Sequence, residues 1–154
     1  IFKGITTKSK TPNFINVKQG DNTLFSGEET EVVVEFQDNE SKENYYLFDF
    51  SKNLYLTIED RFFNGSDYNF SFFFQEDEIE LPEDIIVKMS GITKDYHTYF
   101  RVLSNQSGQS GGGPFQTTPS SLLGNIVNTT YSENFPLGYF HIAETATYFL
   151  SLTE

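Results

Sequence analysis

The sequence predicts a mainly β fold: an antiparallel sandwich or barrel-like sheet of about seven strands with one short helix. Three observations predict it. Short runs of β-branched and aromatic residues recur along the chain, turn-forming residues separate them, and one segment alone places its apolar residues at the helical period. The 154 residues include 17 Phe and 9 Tyr. Because each aromatic side chain buries a large area, these residues provide enough apolar surface for one core although aliphatic residues are few.

The chain divides into a weakly patterned start and a β-rich remainder. Residues 1–30 are polar, so we predict an irregular N-terminal segment with one strand near Phe14–Val17. Residues 31–154 are the predicted β-rich domain. Its predicted strands are Glu31–Phe36, Asn44–Phe50, Leu54–Ile58, Tyr68–Phe74, Ile85–Met89, Leu137–Ala143 and Thr147–Leu152. The pair Asn64-Gly65 is typical of a turn, and the acidic stretch Gln75–Asp84 is predicted to be a loop.

Period-two alternation indicates which faces of the strands are apolar. In Asn44–Phe50, Tyr46 and Phe48 lie on one face, whereas Tyr45 and Leu47 lie on the other. Because both faces are apolar, we predict that this strand is central in its sheet. In Tyr68–Phe74, the four aromatic residues at even positions share one face, while Asn69 and Ser71 share the other.

One segment, Thr93–Gln106, is predicted to be a helix. Its apolar residues are spaced i, i+3, i+4, i+7, which places them on one helical face. They are Tyr96, Tyr99, Phe100 and Leu103. Thr93 is suited to cap the N-terminus, the negative charge of Asp95 is favourable in the first turn, and Asn105 or Gly108 is suited to end the helix. The glycine-rich stretch Ser107–Pro114 that follows is predicted to be a flexible loop, long enough to have a role at a site.

The composition excludes several partners and chemistries. The formal net charge is −12, from 10 Lys and Arg against 22 Asp and Glu. A nucleic-acid backbone or an anionic lipid surface would be repelled, so neither is predicted as a partner. Without cysteine, the chain has no disulfide, thiolate metal site or Cys nucleophile. No membrane span or signal peptide is apparent, and since the chain begins without Met we expect it to be processed or truncated.

No catalytic, cofactor-binding or metal site is predicted. The two histidines, His97 and His141, have no third histidine with which to form a zinc site, and His97 is expected to point away from the helical stripe. The acidic residues of 76–84 lack the spacing of a calcium loop, although calcium binding by this loop stays an open alternative. Glu59 and Asp60 are adjacent on a strand, so they would face opposite ways and could not flank one glycosidic bond.

The aromatic surplus is the more informative feature. Core packing accounts for most of it, but exposed Tyr and Phe side chains also stack on sugar rings or anchor protein interfaces. Near the glycine-rich stretch and in the last third of the chain, Phe115, Tyr131 and Tyr139 are the candidate binding residues.

Several segments, taken in order, resemble one known family. They are Asn44-Tyr45-Tyr46-Leu47-Phe48-Asp49-Phe50, Asp60-Arg61-Phe62-Phe63-Asn64-Gly65, Ile92-Thr93-Lys94-Asp95-Tyr96-His97-Thr98-Tyr99, Gly113-Pro114-Phe115, Pro119, Gly124-Asn125-Ile126-Val127-Asn128 and Leu137-Gly138-Tyr139-Phe140. Over residues 31–152 the chain resembles the Bacteroidota outer-membrane lipoprotein family classified as a domain of unknown function, number four-two-four-nine.

The resemblance implies a location and a cellular context. Members of this family resemble outer-membrane lipoproteins of the cell surface. They have a lipidated Cys and an N-terminal immunoglobulin-like β domain, and they are commonly found near TonB-dependent transporters. This chain is similar to their C-terminal portion, so residues 1–30 are interpreted as the remnant of a missing N-terminal β domain. The lipid anchor, which this chain lacks, would be its only membrane attachment. The family supplies no catalytic residues to carry over.

Three hypotheses for function follow. The first is a non-catalytic surface lipoprotein that is the accessory binding subunit of a TonB-dependent outer-membrane nutrient transporter, with a glycan or peptide ligand and no cofactor. The second is a structural subunit of a larger outer-membrane secretion or assembly complex. The third and least favoured is a hydrolase, because no acid–base constellation is apparent.

Overall fold

Runs of β-branched and aromatic residues form nine strands in the described part of the chain, and the helical stripe forms one helix. The structure, a computed structural model, describes residues 1–4, 6–21, 29–40, 43–106, 122–134 and 136–154. The strands are β1 (Phe2–Gly4), β2 (Phe14–Gln19), β3 (Thr30–Gln37), β4 (Tyr45–Asp49), β5 (Tyr55–Glu59), β6 (Asp67–Phe74), β7 (Glu83–Ile92), β8 (Ile126–Asn128) and β9 (Thr145–Leu152). The helix is α1 (Lys94–Gln106). The predicted mainly β fold class is confirmed.

The strands form three antiparallel sheets. The first sheet has the order β2-β3-β6, the second sheet has the order β5-β4-β7-β9, and the small sheet pairs β1 with β8. The predicted strand near Phe14–Val17 is β2, which pairs with β3, so residues 14–19 and 30–37 lie in one sheet. As predicted, β4 is central, because it pairs with β5 on one side and β7 on the other. None of the described residues forms a helix long and apolar enough to cross a membrane.

The first and second sheets pack face to face through aromatic rings. Phe36 of β3 lies 5.1 Å from Tyr46 of β4, measured between ring centroids. Phe70 of β6 lies 4.9 Å from Phe48 of β4, in an edge-to-face arrangement. These residues are the ones that period two places on a common face of each strand. The two sheets therefore form a sandwich whose core is largely phenylalanine and tyrosine.

The opposite face of the second sheet carries helix α1. Because Tyr46 and Phe48 face the core, Tyr45 and the other odd-numbered residues of β4 face away from it. The His97 ring of α1 lies 4.9 Å from the Tyr45 ring, and Phe100 lies 5.6 Å from Tyr55 of β5. As predicted, Thr93 caps the helix, since its hydroxyl accepts a hydrogen bond from the Tyr96 backbone N–H at 3.2 Å.

The predicted apolar stripe of the helix is only part of its packing surface. His97, expected to point away from the stripe, is buried, and Leu103 of the stripe is exposed. The imidazole lies off the stripe, as expected, but it is buried. The aromatic face of β4 beside the helix explains this burial, because the imidazole packs on Tyr45.

One predicted strand is absent. Residues 137–143 form no strand, and only Ala143 takes part in an isolated bridge, with Ser9. The alternation in this segment comes instead from side chains that contact the helix on one side and solvent on the other. Conversely, β1 and β8 were not predicted. Each has three residues, which is too short for a period-two pattern to be recognised.

A buried polar network fixes the turn between β5 and β6. The hydroxyl of Tyr46 donates a hydrogen bond to one carboxylate oxygen of Asp38, and the backbone N–H of Gly65 donates to the other at 2.8 Å. Asn44 Nδ2 lies 3.3 Å from Asp60 Oδ2. Gly65 has φ +73°, which L side chains rarely adopt. The segment Asp60–Gly65 therefore has a structural role, in tying the turn to β4.

The aromatic contacts between the sheets predict a large effect for one truncation. Phe50 is fully buried and stacks on Phe72 with ring centroids 3.9 Å apart. Phe50→Ala should lower the free energy of unfolding by about 3–5 kcal/mol, because apolar contacts are lost and a cavity remains. Urea denaturation measures the change. The control is Phe149→Ala, since Phe149 is 75% exposed and should change the value by less than about 0.5 kcal/mol. Equal effects of the two substitutions would contradict this packing.

Burial of Asp60 predicts a pH dependence of stability. Burial, aided by the nearby charge of Asp38, raises the pKa of Asp60 above its usual 3.8. The folded state therefore favours the neutral carboxyl, and the free energy of unfolding should fall as pH rises from 3.8 through the raised pKa. In the Asp60→Asn variant the side chain at position 60 cannot ionise. The free energy of unfolding of this variant should therefore fall less over the same pH range. Urea denaturation of both proteins across this range tests it, and parallel profiles would show that Asp60 does not contribute.

Candidate functional site

Five aromatic side chains form a cluster between helix α1 and the segment 137–143. The members of this aromatic cluster are Tyr96, Tyr99, Phe100, Tyr139 and His141. Tyr139 lies 5.0 Å from Tyr96 and 5.1 Å from Tyr99. The His141 imidazole stacks on Tyr96 at 4.4 Å, with 16° between the planes. The flank of α1 that carries Tyr96 and Tyr99 is thus covered by the chain just before β9.

The segment before β8 holds Tyr139 in place. Asn125 binds the backbone of Phe140 at both ends, since its Nδ2 donates to the Phe140 carbonyl and its Oδ1 accepts from the Phe140 N–H, each at 2.7 Å. A Cβ on Gly124 would lie 1.5 Å from the carbonyl oxygen of Gly138, so the two backbones touch here. Glycine is required at this position because any side chain would push the segments apart.

Alternation along 137–143 separates two environments. Tyr139 and His141 face the helix, whereas Phe140 and Ile142 are each 46% exposed. Phe140 lies against the small sheet, because a Cβ on Gly4 would approach its Cβ to 3.1 Å. Residues 139–142 therefore alternate between the helix side and the exposed side, although the segment is not a strand.

His141 is an unusual member of the cluster. Both ring nitrogens are shielded from solvent and have no hydrogen-bond partner among the residues that the structure describes. Burial lowers the pKa of His141 below its usual 6.5. A charged imidazolium here would lose its hydration without gaining a counter-ion, so the neutral ring is favoured. As a neutral ring it packs on Tyr96 as another aromatic side chain.

Beside the cluster lies an open depression of about 390 Å³. The described residues that line it are Asp95, Thr98, Tyr99, Val102, Leu122, Leu123, Gly124, Asn125 and Tyr139. Asp95 is in the first turn of α1, so its carboxylate is placed by the helix, and Tyr99 follows one turn later. Tyrosines, a carboxylate and three aliphatic side chains thus meet at one concave surface. Such a combination suits the binding of a small ligand or a side chain of a larger one.

The polar groups of Asp95, Tyr99 and Tyr139 are available to a ligand. Within the described residues, the Asp95 carboxylate has no hydrogen bond or ion pair, and neither tyrosine hydroxyl has a hydrogen bond. In contrast, the Asn125 amide is already engaged by Phe140. The free groups are therefore one carboxylate and two phenols.

The three candidate binding residues have different outcomes. Tyr139 lies in the cluster and lines the depression. Tyr131 is 59% exposed in the turn after β8, where Asn128 Oδ1 accepts hydrogen bonds from the Thr130 and Tyr131 backbones, and it has no ring contact with the cluster. Phe115 and the predicted flexible loop Ser107–Pro114 lie outside the described residues.

Two residues of the depression were not predicted as binding residues. From the sequence, Tyr99 is expected in the buried stripe of α1 and Asp95 in its first turn as a helix-stabilising charge. Asp95 and Tyr99 are four residues apart, so they lie on one face of the helix. This spacing is the one sequence pattern that could have identified the two residues as parts of the same site. That this face meets Tyr139 depends on contacts between distant parts of the chain.

A larger polar cavity of about 710 Å³ lies near the start of β4. It is lined by Thr7, Lys8, Ser9, Lys10, Asn39, Glu40, Glu43, Asn44, Tyr45, Gly91 and Ile92. At its edge Glu43 and Lys94 form an ion pair at 3.2 Å. Hydrogen bonds from Tyr45 and Lys94 lower the pKa of Glu43. Charges of both signs line this cavity, so it has no preference for one sign of ligand.

The described residues do not form a metal site. No group of three or more His, Asp or Glu side chains in the described ranges is arranged to hold a metal ion. The acidic stretch Gln75–Asp84, where calcium binding stays an open alternative, is divided between a turn and the start of β7.

Comparison with known proteins gives the family. A family model described as Domain of unknown function (DUF4249) matches residues 3–148. The chain belongs to this family. Searches of curated proteins and of solved structures gave no match. The match confirms the resemblance found from the sequence and extends it to residue 3, so it includes two of the three residues of β1, all of β2 and every residue of the aromatic cluster. The description of the family names no activity.

The shielded imidazole of His141 predicts a measurable titration. Below pH 6.5 the unfolded state takes up the proton more readily than the folded state, so the free energy of unfolding should fall as pH drops through the lowered pKa. His141→Phe keeps an aromatic ring that cannot be protonated, and its free energy of unfolding should fall less. NMR titration of the His141 ring resonances should give a pKa below 6.5 in the unmodified protein. A pKa of 6.5 or above would mean that the imidazole is solvated or paired.

Proposed function

We propose that this chain is a non-catalytic binding subunit that acts at the cell surface with a TonB-dependent outer-membrane nutrient transporter. In this proposal the depression beside the aromatic cluster is the ligand site. The observation that carries it is the convergence of Tyr99, Tyr139 and Asp95, all with free polar groups, on one concave surface. The ligand is a glycan or a peptide, since both present groups that bind to phenol rings and carboxylates.

The composition of the site favours binding over catalysis. Hydrolysis of a glycan or peptide needs a nucleophile or water activated by a base, together with an acid for the leaving group. Asp95 is the one carboxylate among the described lining residues, and the nearest imidazole, His141, is packed against Tyr96 with its nitrogens shielded. A hydrolase is therefore the least supported of the three hypotheses.

The location and the transporter partner are supported by the family alone. The chain belongs to the DUF4249 family, and the resemblance to this family implies lipid-anchored proteins of the outer membrane. An acidic surface suits a domain held at a membrane by lipid and not by its own charge. These are the reasons for proposing a lipid-anchored cell-surface location and a transporter partner.

A structural subunit of a larger outer-membrane secretion or assembly complex is the second candidate. The observation that favours it is the exposure of apolar side chains on and around the small sheet. Phe2 and Phe140 lie on the face of this sheet that includes Gly4, and Val127, which pairs with Lys3, is exposed on the opposite face. Leu137 and Ile142 are exposed in the segment that contains Phe140. Exposed apolar side chains at a surface are typical of interfaces with other proteins.

Purification from native membranes distinguishes these two functions. The full-length tagged protein would be extracted in mild detergent, captured through its tag, and its companions identified and quantified by mass spectrometry. We expect a TonB-dependent transporter at a near-equal amount. The control is the same purification from cells that carry the tag on an unrelated outer-membrane lipoprotein.

Each result has a definite meaning for the proposal. Recovery of secretion or barrel-assembly subunits in near-equal amounts, without a transporter, would replace it with the structural function. Recovery of the protein without any companion would contradict the transporter partnership.

A further inference from the structure

We propose that the depression binds a positively charged ligand group, the ammonium of a lysine side chain in a peptide. This inference rests on the proposed binding function and names the class of ligand. The group would sit between the Asp95 carboxylate and the rings of Tyr99 and Tyr139, with its aliphatic stem on the neighbouring apolar residues.

The charge of the site selects the sign of the ligand. Asp95 is the one charged residue among the described residues of the lining, and it has no ion pair or hydrogen bond within them. An unpaired carboxylate repels a phosphate, sulfate or carboxylate ligand and attracts a cation. The site is therefore unsuited to an anionic glycan or an acidic peptide.

The two tyrosines give the site a second means of attracting a cation. The rings of Tyr99 and Tyr139 lie 5.1 Å apart at an angle of 49°, so they form two walls of one corner. An aromatic face carries negative electrostatic potential, and an ammonium placed over it is attracted. Their hydroxyls have no hydrogen bond to any described residue, so each phenol oxygen can also accept a hydrogen bond from the ammonium.

The apolar part of the lining suits the stem of a lysine side chain. Val102, Leu122 and Leu123 line the same depression, and Leu123 is 72% exposed. Lysine carries its charge on a flexible four-carbon stem, which buries itself along apolar surface while the ammonium remains at a polar site. A small free cation such as ammonium or sodium would leave these aliphatic side chains in water.

The net charge of the whole protein also favours a cationic ligand. The net charge of −12 creates a negative potential around the molecule, which raises the local concentration of cationic ligands. A neutral saccharide would use the same tyrosine rings but would gain nothing from this potential or from the charge on Asp95. Dependence on charge therefore separates the two ligand classes.

The test compares two blocked tripeptides, of which only one carries the side-chain ammonium group. One is Gly-Lys-Gly and the other is Gly-norleucine-Gly, each acetylated and amidated, and binding to the full chain is followed by NMR at low salt. We expect the lysine peptide to bind at least tenfold more tightly than the norleucine peptide. We also expect its affinity to fall when the salt concentration is raised tenfold, because an ion pair is screened.

Two substitutions locate the effect at the depression. Asp95→Asn should weaken binding of the lysine peptide at least fivefold. Asp67→Asn is the matched control, because it removes the same charge from an exposed position of β6 in the first sheet, and it should leave the affinity unchanged. Tyr139→Ala should weaken binding, and Tyr139→Phe should restore most of it because the ring is kept. Circular dichroism checks that each variant is folded.

The outcomes separate this inference from the function on which it rests. Equal affinities for the two peptides, or an unchanged affinity in Asp95→Asn, would overturn the cation inference. If a neutral glucose oligosaccharide binds and its binding is lost in Tyr139→Ala, the binding function stands while the cationic ligand is wrong. If neither peptide nor the oligosaccharide binds and no transporter is recovered from membranes, both proposals fail.

Discussion

The packing of aromatic rings between the two larger sheets is the interaction on which the rest of the structure depends. Phe36 of β3 contacts Tyr46 and Phe48 of β4, and Phe50 stacks on Phe72 of β6. Aliphatic residues are few in this chain, so these rings provide much of the apolar area that offsets the conformational entropy lost on folding. Because edge-to-face and stacked rings have preferred geometries, they also fix how the sheets sit on each other.

The candidate site is built outward from this core in two steps. Once Tyr46 and Phe48 face the core, Tyr45 must face outward, where it receives His97 of α1. That contact, with the contact of Phe100 and Tyr55, sets the rotation of the helix and leaves Tyr96 and Tyr99 on its other side. The segment 137–143 then packs on those two rings through Tyr139 and His141.

Two kinds of exposed surface point to different partners. The depression offers a carboxylate and two phenols at a concave site, which suits a small group of a ligand. The apolar side chains around the small sheet, among them Phe2 and Phe140, lie on a surface with no described covering element and suit a larger partner. The two surfaces lie on either side of the segment 137–143. A single protein of this kind therefore has room to hold a ligand and to contact a larger protein partner at once.

Much of the fold follows from local patterns in the sequence, and little of the site does. Runs of β-branched and aromatic residues predict β3 and β7, period-two alternation predicts the faces of β4 and β6, and the cap at Thr93 predicts where the helix begins, because these features depend on near neighbours in the chain. Tyr139 is predicted as a binding residue, but within a strand that does not form. Its backbone neighbour Phe140 is bonded by the side chain of Asn125 and not by a strand, which alternation alone cannot reveal.

The sequence by itself therefore determined the fold class, most strands, the helix, the acidic charge and the family. Only the tertiary structure decided that Asp95, Tyr99 and Tyr139 share one depression, that His97 is buried and that His141 is stacked on Tyr96 with no hydrogen bond to a described residue. The physical reason is the range of the interactions. Strands and helices follow from spacing between neighbouring residues, whereas the site depends on contacts such as Gly124 against Gly138 and helix α1 against residues 139–141. No local pattern specifies which distant segments meet.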